Sequence, residues 1–122
     1  MITYSTLGTN DMERSVAFYD AVLGAIDGVR EISTPDWTQY GRKGEIGKIC
    51  IVTPHDKNQA THGNGTMLAF QAPSRASVDA FHAAALSNGG QDAGAPDIRE
   101  ETHYVAYVRD PEGNKLCAFA AK

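Results

Sequence analysis

Asp11-Met12-Glu13-Arg14-Ser15-Val16-Ala17-Phe18-Tyr19-Asp20-Ala21-Val22-Leu23-Gly24 is answered, 63 positions later, by Ser74-Arg75-Ala76-Ser77-Val78-Asp79-Ala80-Phe81-His82-Ala83-Ala84-Ala85-Leu86-Ser87. At that offset Ala17 meets Ala80, Phe18 meets Phe81, Ala21 meets Ala84 and Leu23 meets Leu86. Both stretches read as amphipathic helices. The first starts at Asn10 or Asp11, with Glu13 at capping-box spacing from Asn10, turns Met12, Val16, Tyr19 and Leu23 to one face, and stops at Gly24. The second opens after Pro73 with Ser74 as N-cap, carries Val78, Phe81 and Ala85 inward, and stops at Gly89-Gly90. Ala80, Ala83, Ala84 and Ala85 predict a close approach of this helix to a sheet. An offset of about half the chain is the mark of an internal duplication, which governs the rest of the reading.

Outward from each helix the pattern changes to period two. Ile2 to Thr9 and Thr66 to Ala72 precede the helices as strands. Ile26 to Ser33, Trp37 to Gly41 and Ile46 to Thr53 follow the first, and Gln91 to Arg99, His103 to Arg109 and Lys115 to Ala121 follow the second. Asp110-Pro111-Glu112-Gly113-Asn114 is a turn, with proline fixing φ and glycine free to take a positive φ. Pro54 to Gly65 is polar and joins the halves. The expected fold is therefore α+β, with two tandem βαβββ modules in a single domain over 1–122: module 1 about 1–54, a linker about 55–64, and module 2 about 65–122.

The composition excludes several classes of function. The chain has 122 residues, 42% of them hydrophobic, enough to bury roughly two-thirds of its unfolded surface without a disulfide or structural metal. Eleven Lys and Arg against fifteen Asp and Glu leave a formal charge of -4, so no broad cationic face for nucleic acid is expected. No apolar run reaches the ~20 residues that cross a bilayer, and no leader pattern opens the chain, so a cytoplasmic protein is expected. Cys50 and Cys117 lie in apolar strand-like runs without a CxxC and read as reduced, buried thiols.

Gly8 to Tyr19, Gly63-Asn64-Gly65-Thr66 with Ala69-Phe70, Ser77 to His82, and Asp110 to Lys115 together resemble the glyoxalase/bleomycin-resistance/dioxygenase superfamily, also called vicinal oxygen chelate. The likeness covers nearly the whole chain and rests on the order, spacing and duplication of the motifs. It implies two βαβββ modules forming a curled, cup-shaped sheet, often in a homodimer, with some members placing the cup between subunits. It also implies a divalent metal held by His or Glu on the first and last strand of each module, chelating paired oxygens as a Lewis acid.

Carried over residue by residue, the first-strand ligand, seven residues before the Asp of the helix start, is Tyr4. Its counterpart before the Leu68-Ala69-Phe70 run is Met67. The last-strand ligand after the Asp110 turn is Cys117, and the fourth falls in the strand around Cys50, whose register stays open. A hard divalent ion wants carboxylate oxygen and imidazole, which none of these positions supplies. No metal ligand is assigned and no cofactor is expected, with a divalent metal disfavoured.

The same placements predict a cavity lined by Tyr4, Met67 and Cys117, with Thr6, Ala69 and Phe119 beside them by strand alternation. Trp37 and Tyr40 read either as core or as an aromatic platform at its mouth, and His103 with Tyr107 as a pocket edge, Tyr104 facing the other way. His55 and His62 read as solvated loop residues and His82 as a helix-surface residue. Which of Arg30, Arg42, Arg99 and Arg109 faces the cavity stays open. The expected function is binding of a small organic molecule in a homodimer without the usual metal. The alternative is a metal-dependent lyase, isomerase or dioxygenase with a degenerate or relocated site.

Overall fold

The computed structural model describes residues 1–121. Its elements run β1 (Tyr4–Gly8), α1 (Met12–Gly24), β2 (Val29–Ser33), β3 (Trp37–Gly41), β4 (Lys48–Val52), β5 (Met67–Gln71), α2 (Arg75–Ser87), β6 (Gln91–Arg99), β7 (His103–Arg109) and β8 (Lys115–Ala121). The α+β order read from the sequence, strand-helix-strand-strand-strand twice over, is the order found. Each module forms an open four-stranded sheet, β1-β4-β3-β2 in the first and β5-β8-β7-β6 in the second. In each, the first strand runs parallel to the last and the other neighbours are antiparallel. The crossover from first to last strand carries the helix, as a parallel pair requires.

The helix starts follow their caps. Asp11, not Asn10, is the N-cap of α1, its carboxylate accepting from the Arg14 amide at 3.0 Å. The Asn10–Glu13 capping box does not form, because Asn10 is engaged by the linker through Ala60 and by Glu112. Ser74 caps α2 as expected. The buried stripe of α1 is Ser15, Phe18, Tyr19, Val22 and Leu23, while Met12 and Val16, expected inward, are half-exposed. Ser15 can face inward because its hydroxyl shares a 2.6 Å hydrogen bond with Thr9.

At the 63-residue offset Ser15 and Val78, Phe18 and Phe81, and Val22 and Ala85 are all buried. Leu23 and Leu86 part company, since Leu86 is 47% exposed. After α1 the returning chain bonds to the Leu23 carbonyl through Gly28, whereas after α2 it bonds through Gly90 to Ala85, the counterpart of Val22, and leaves Leu86 outside. Of the four alanines expected at the sheet, Ala85 is buried and Ala84 partly so, while Ala80 and Ala83 are exposed.

One core fills the space between the modules. It joins Leu7, Phe18, Tyr19, Val22, Tyr40 and Ile51 of the first to Val78, Phe81, Ala85, Ala106, Leu116 and Ala118 of the second. Both helices and the helix-facing side of both sheets contribute, and α1 touches α2. Fully burying each such side chain stabilises the fold by roughly 1.5–3 kcal/mol, so the modules are not independent.

The β7–β8 turn fastens this seam. Asp110 is buried and accepts from the Tyr19 hydroxyl at 2.5 Å, from the amides of Glu112 and Asn114, and from the Asn114 side chain. Glu112, its side chain only 3% exposed, pairs with Arg14 and accepts from the Asn10 amide. Burial and the Asp110 carboxylate hold the Tyr19 phenol protonated far above its ordinary range. The sequence motif that reads as a simple turn is thus a buried acceptor for the other module's helix.

Candidate functional site

Strand alternation gives each sheet one face toward the shared core and one outer face. Register aligns the outer faces. On the first module Tyr4 pairs with Lys48, Thr6 with Cys50, Gln39 with Cys50 and Trp37 with Val52. On the second Met67 pairs with Lys115, Ala69 with Cys117, Tyr107 with Cys117 and Val105 with Phe119. Tyr4 therefore corresponds to Met67, Thr6 to Ala69, Lys48 to Lys115 and Gln39 to Tyr107. The open register around Cys50 closes: Cys50 is the counterpart of Cys117.

The first outer face has an aromatic corner and a polar bed. Tyr4 stands edge-on to Trp37 with ring centroids 5.8 Å apart. Beside them Glu31 accepts from Gln39 and from Lys48, both at 3.0 Å. The Gln39 hydrogen bond, then that of Lys48, holds the Glu31 carboxylate below its usual range. Cys50 is fully buried beneath this group, and burial pushes its thiol up, a hydrogen bond from Trp37 opposing the rise and Glu31 adding to it.

The second outer face is more apolar. His103 meets Phe119 edge-on at 5.4 Å, and Cys117, Val105 and Tyr107 complete a recess of about 340 Å³ with Arg99 and Glu100 on its rim. Two cations lie over the Tyr107 ring, the Arg99 guanidinium 5.9 Å from its centroid and the Lys115 ammonium 5.2 Å from it. Burial pushes the Cys117 thiol up while Lys115 pulls it back.

The residues predicted to line one cavity thus fall into two groups. Met67, Ala69, His103, Tyr107, Cys117 and Phe119 share the second outer face, and Tyr4, Thr6 and Trp37 share the first. Each group lies on its own sheet, and at the seam Lys48 of the first module and Ala69 of the second line one recess of about 290 Å³. Tyr40 corrects the expected pairing with Trp37. Three residues apart on a strand, the two point to opposite sides, and Tyr40 is buried against α1 with its hydroxyl donating to Asp20 at 2.8 Å. Burial, then the Asp20 contact, raises its phenol. Arg30 and Asp20 pair on that side at 3.3 Å, and Arg42 donates to the Gln71 carbonyl across the module seam.

Of the histidines outside the second face, His62 and His82 take structural positions. His62 packs against the β7–β8 turn, its Nδ1 3.2 Å from the Glu112 carbonyl oxygen. His82 pairs with Asp92 at 2.9 Å. His55 lies in a recess of about 640 Å³ beside Thr6 and Trp37 of the first face.

Sequence reasoning missed Glu31, Gln39, Lys48 and Lys115 as outer-face residues. A signal for the lysines was present, because Lys48-Ile49-Cys50 recurs as Lys115-Leu116-Cys117. Its offset is four residues longer than that of the helices, which conceals it from a single-shift comparison.

The four positions that the resemblance gives to metal ligands carry a phenol, a thioether and two thiols held toward their protonated forms. This donor set does not suit a hard divalent ion. Among the described residues no group of three or more His, Cys, Asp and Glu side chains is placed to hold a metal ion.

A fold of two βαβββ modules with paired outer faces defines a vicinal-oxygen-chelate-type protein, and the comparisons agree. The family model of the Glyoxalase/Bleomycin resistance protein/Dioxygenase superfamily matches residues 2–118, and the chain belongs to that superfamily. It is 40% identical to a glyoxalase/bleomycin resistance protein from Albidiferax ferrireducens, over 98% of both chains, with a TM-score of 0.90. An antibiotic binding protein from a Streptomyces species shares the fold at 19% identity, over 100% of this chain and 96% of that one, TM-score 0.71. A lactoylglutathione lyase from Agrobacterium tumefaciens does so at 18%, over 98% and 92%, TM-score 0.68. No curated protein matches the chain. No helix among the described residues is long and apolar enough to cross a membrane.

Proposed function

We propose that this protein binds a small organic molecule in a cup made when the first outer face of one copy meets the second outer face of another, without the superfamily's customary divalent metal. The observation that carries this reading is the division of the site: two faces in matching register on separate sheets, each with aromatic side chains, the second mostly apolar and the first carrying the polar Glu31–Gln39–Lys48 group. Such walls suit an apolar or aromatic ligand oriented by one or two polar contacts. The first strands of both sheets, β1 and β5, are edges with an unpaired side. Ile2, Tyr4, Ile46 and Met67 are large apolar side chains left exposed. Edges and apolar patches of this kind are ordinarily covered, here by a second copy. The antibiotic-binding relative lends the reading a precedent for ligand capture on this fold.

Sedimentation of the purified protein at tens of micromolar, an order of magnitude suited to a weak association, is expected to give a dimer. Aromatic compounds are expected to raise its melting temperature. Met67→Glu, which puts a charge at the shared edge, should give a monomer and abolish the ligand-induced rise. A monomeric wild-type protein overturns the cup. Turnover of methylglyoxal hemithioacetal or of catechols after loading with divalent ions overturns the metal-free binding reading in favour of an enzyme.

A further inference from the structure

The outer faces place two lysines at equivalent positions with unequal surroundings. Lys48, opposite Tyr4, is neutralised by Glu31 at 3.0 Å. Lys115, opposite Met67, has no carboxylate partner among the described residues. Its ammonium lies over Tyr107, a contact weaker than a charge-assisted hydrogen bond to a carboxylate. Arg99 also lies over this ring and is only loosely held by the exposed Asp97 at 3.6 Å.

We propose that the second outer face takes an aromatic monocarboxylate, its ring against Tyr107, Phe119 and His103 and its carboxylate on Lys115. The inference rests on the small-molecule reading above and names the ligand class. An ammonium that is unneutralised beside an aromatic, thiol-floored recess is most strongly satisfied by an anion that brings its own flat apolar body. Arg99 is shared with Asp97, so Lys115 is left as the one cation without a carboxylate and matches one negative charge. Glu100 on the rim sets a repulsive carboxylate against a dianion such as a phosphate ester. On the first face the equivalent position is already filled, since Glu31 supplies to Lys48 from within the chain what the ligand supplies to Lys115.

Naphthoate and its neutral isostere naphthamide, titrated into the isotope-labelled protein at low salt and neutral pH and followed by amide NMR, separate the possibilities. Naphthoate is expected to bind about tenfold more tightly, the scale of one charge-assisted contact, and to shift the amides of Lys115, Cys117 and Tyr107. Lys115→Met should bring naphthoate down to the level of naphthamide, Lys115→Arg should keep the preference, and Lys43→Met, in the exposed turn between β3 and β4, should leave it unchanged. If the two probes bind the face equally, or the preference survives Lys115→Met, the ligand class is wrong and the small-molecule reading stands. If neither probe perturbs either outer face, both fail.

Discussion

The two modules are alike where they face each other and unlike where they face away. At the shared core, register and offset agree: Phe18 and Phe81 are both buried, as are Val22 and Ala85, and Leu7 and Leu116 close the same core from the two sheets. On the outer faces Gln39 stands where the second module has Tyr107, Thr6 where it has Ala69, and a neutralised Lys48 where it has a Lys115 with no carboxylate partner among the described residues. The connecting turns differ as much. Asp110 to Asn114 is drawn into the seam, whereas the β3–β4 turn at Arg42 to Gly47 is largely exposed and held by an Arg42–Glu45 contact of 3.5 Å. Close packing restricts what an interior position accepts. A face turned outward carries no such restriction, and that is where two copies of one plan acquire different chemistry.

The sharpest break in the likeness is the turn, and it carries the largest expected effect. Asp110→Ala removes a buried carboxylate that accepts four hydrogen bonds and orphans the Tyr19 hydroxyl in the core. Lost hydrogen bonds to a charged group and a stranded buried donor together cost about 3 kcal/mol. Glu45→Ala in the exposed turn is expected to stay within about 0.5 kcal/mol of the wild type, as surface contacts do. Urea unfolding of both variants measures the difference. Equal losses would mean that the two turns are equivalent after all.

That turn also marks where sequence reading stops. Alternation in His103 to Arg109 and Lys115 to Ala121 fixes those strands to the residue, because each side buries a distinct set. The duplicated helices were legible for the same reason. What alternation cannot convey is which turn a neighbouring module uses: Glu112 and Asp110 read as ordinary turn residues until α1 is packed on them. The α1 stripe misleads because Ser15 is polar yet buried, its hydroxyl satisfied by Thr9. Trp37 and Tyr40 mislead because shared aromatic character suggests one platform, while a spacing of three on a strand divides them. The division of the site into two faces depends on how the modules dock, a relation that local periodicity does not encode.

A smaller effect sharpens the comparison at the ends of the helices. A Cβ on Gly90 would lie 2.6 Å from the Phe18 ring, 2.7 Å from the Arg109 carbonyl oxygen and 2.8 Å from that of Ala85, so α1 and β7 meet there only because the side chain is missing. Gly24, at the end of α1, has nothing within 4 Å of the same point. Gly90→Ala is expected to cost about 1–3 kcal/mol by forcing the seam apart. Gly24→Ala is expected to gain about 0.5 kcal/mol through a less flexible unfolded chain. Thermal melts of the two variants should therefore move in opposite directions. A neutral Gly90→Ala would show that the modules dock with slack.

The smallest effect probes the outer faces themselves, through the pair of cysteines that register makes equivalent. Burial pushes both thiols above their ordinary range, so at neutral pH both are protonated and slow to alkylate, because the thiolate is the nucleophile. Their neighbours then separate them. At Cys50 a Trp37 hydrogen bond that favours the thiolate is opposed by the Glu31 charge, whereas at Cys117 the Lys115 charge favours the thiolate and no carboxylate opposes it. As pH rises the Cys117 thiolate forms first, so iodoacetamide followed by peptide mass spectrometry should label Cys117 before Cys50, with the gap opening from neutral to alkaline pH. Lys115→Met is expected to slow Cys117 by about two- to fivefold, and Glu31→Gln to speed Cys50 by a similar factor, the scale of one nearby charge at a partly solvated site. Removing Lys115 by this change leaves the strand pairing of β8 intact, so a slowing confined to Cys117 reports charge and not unfolding. Faster labelling of Cys50 in the wild type would mean that access, and not the unequal charge of two matched faces, governs these thiols.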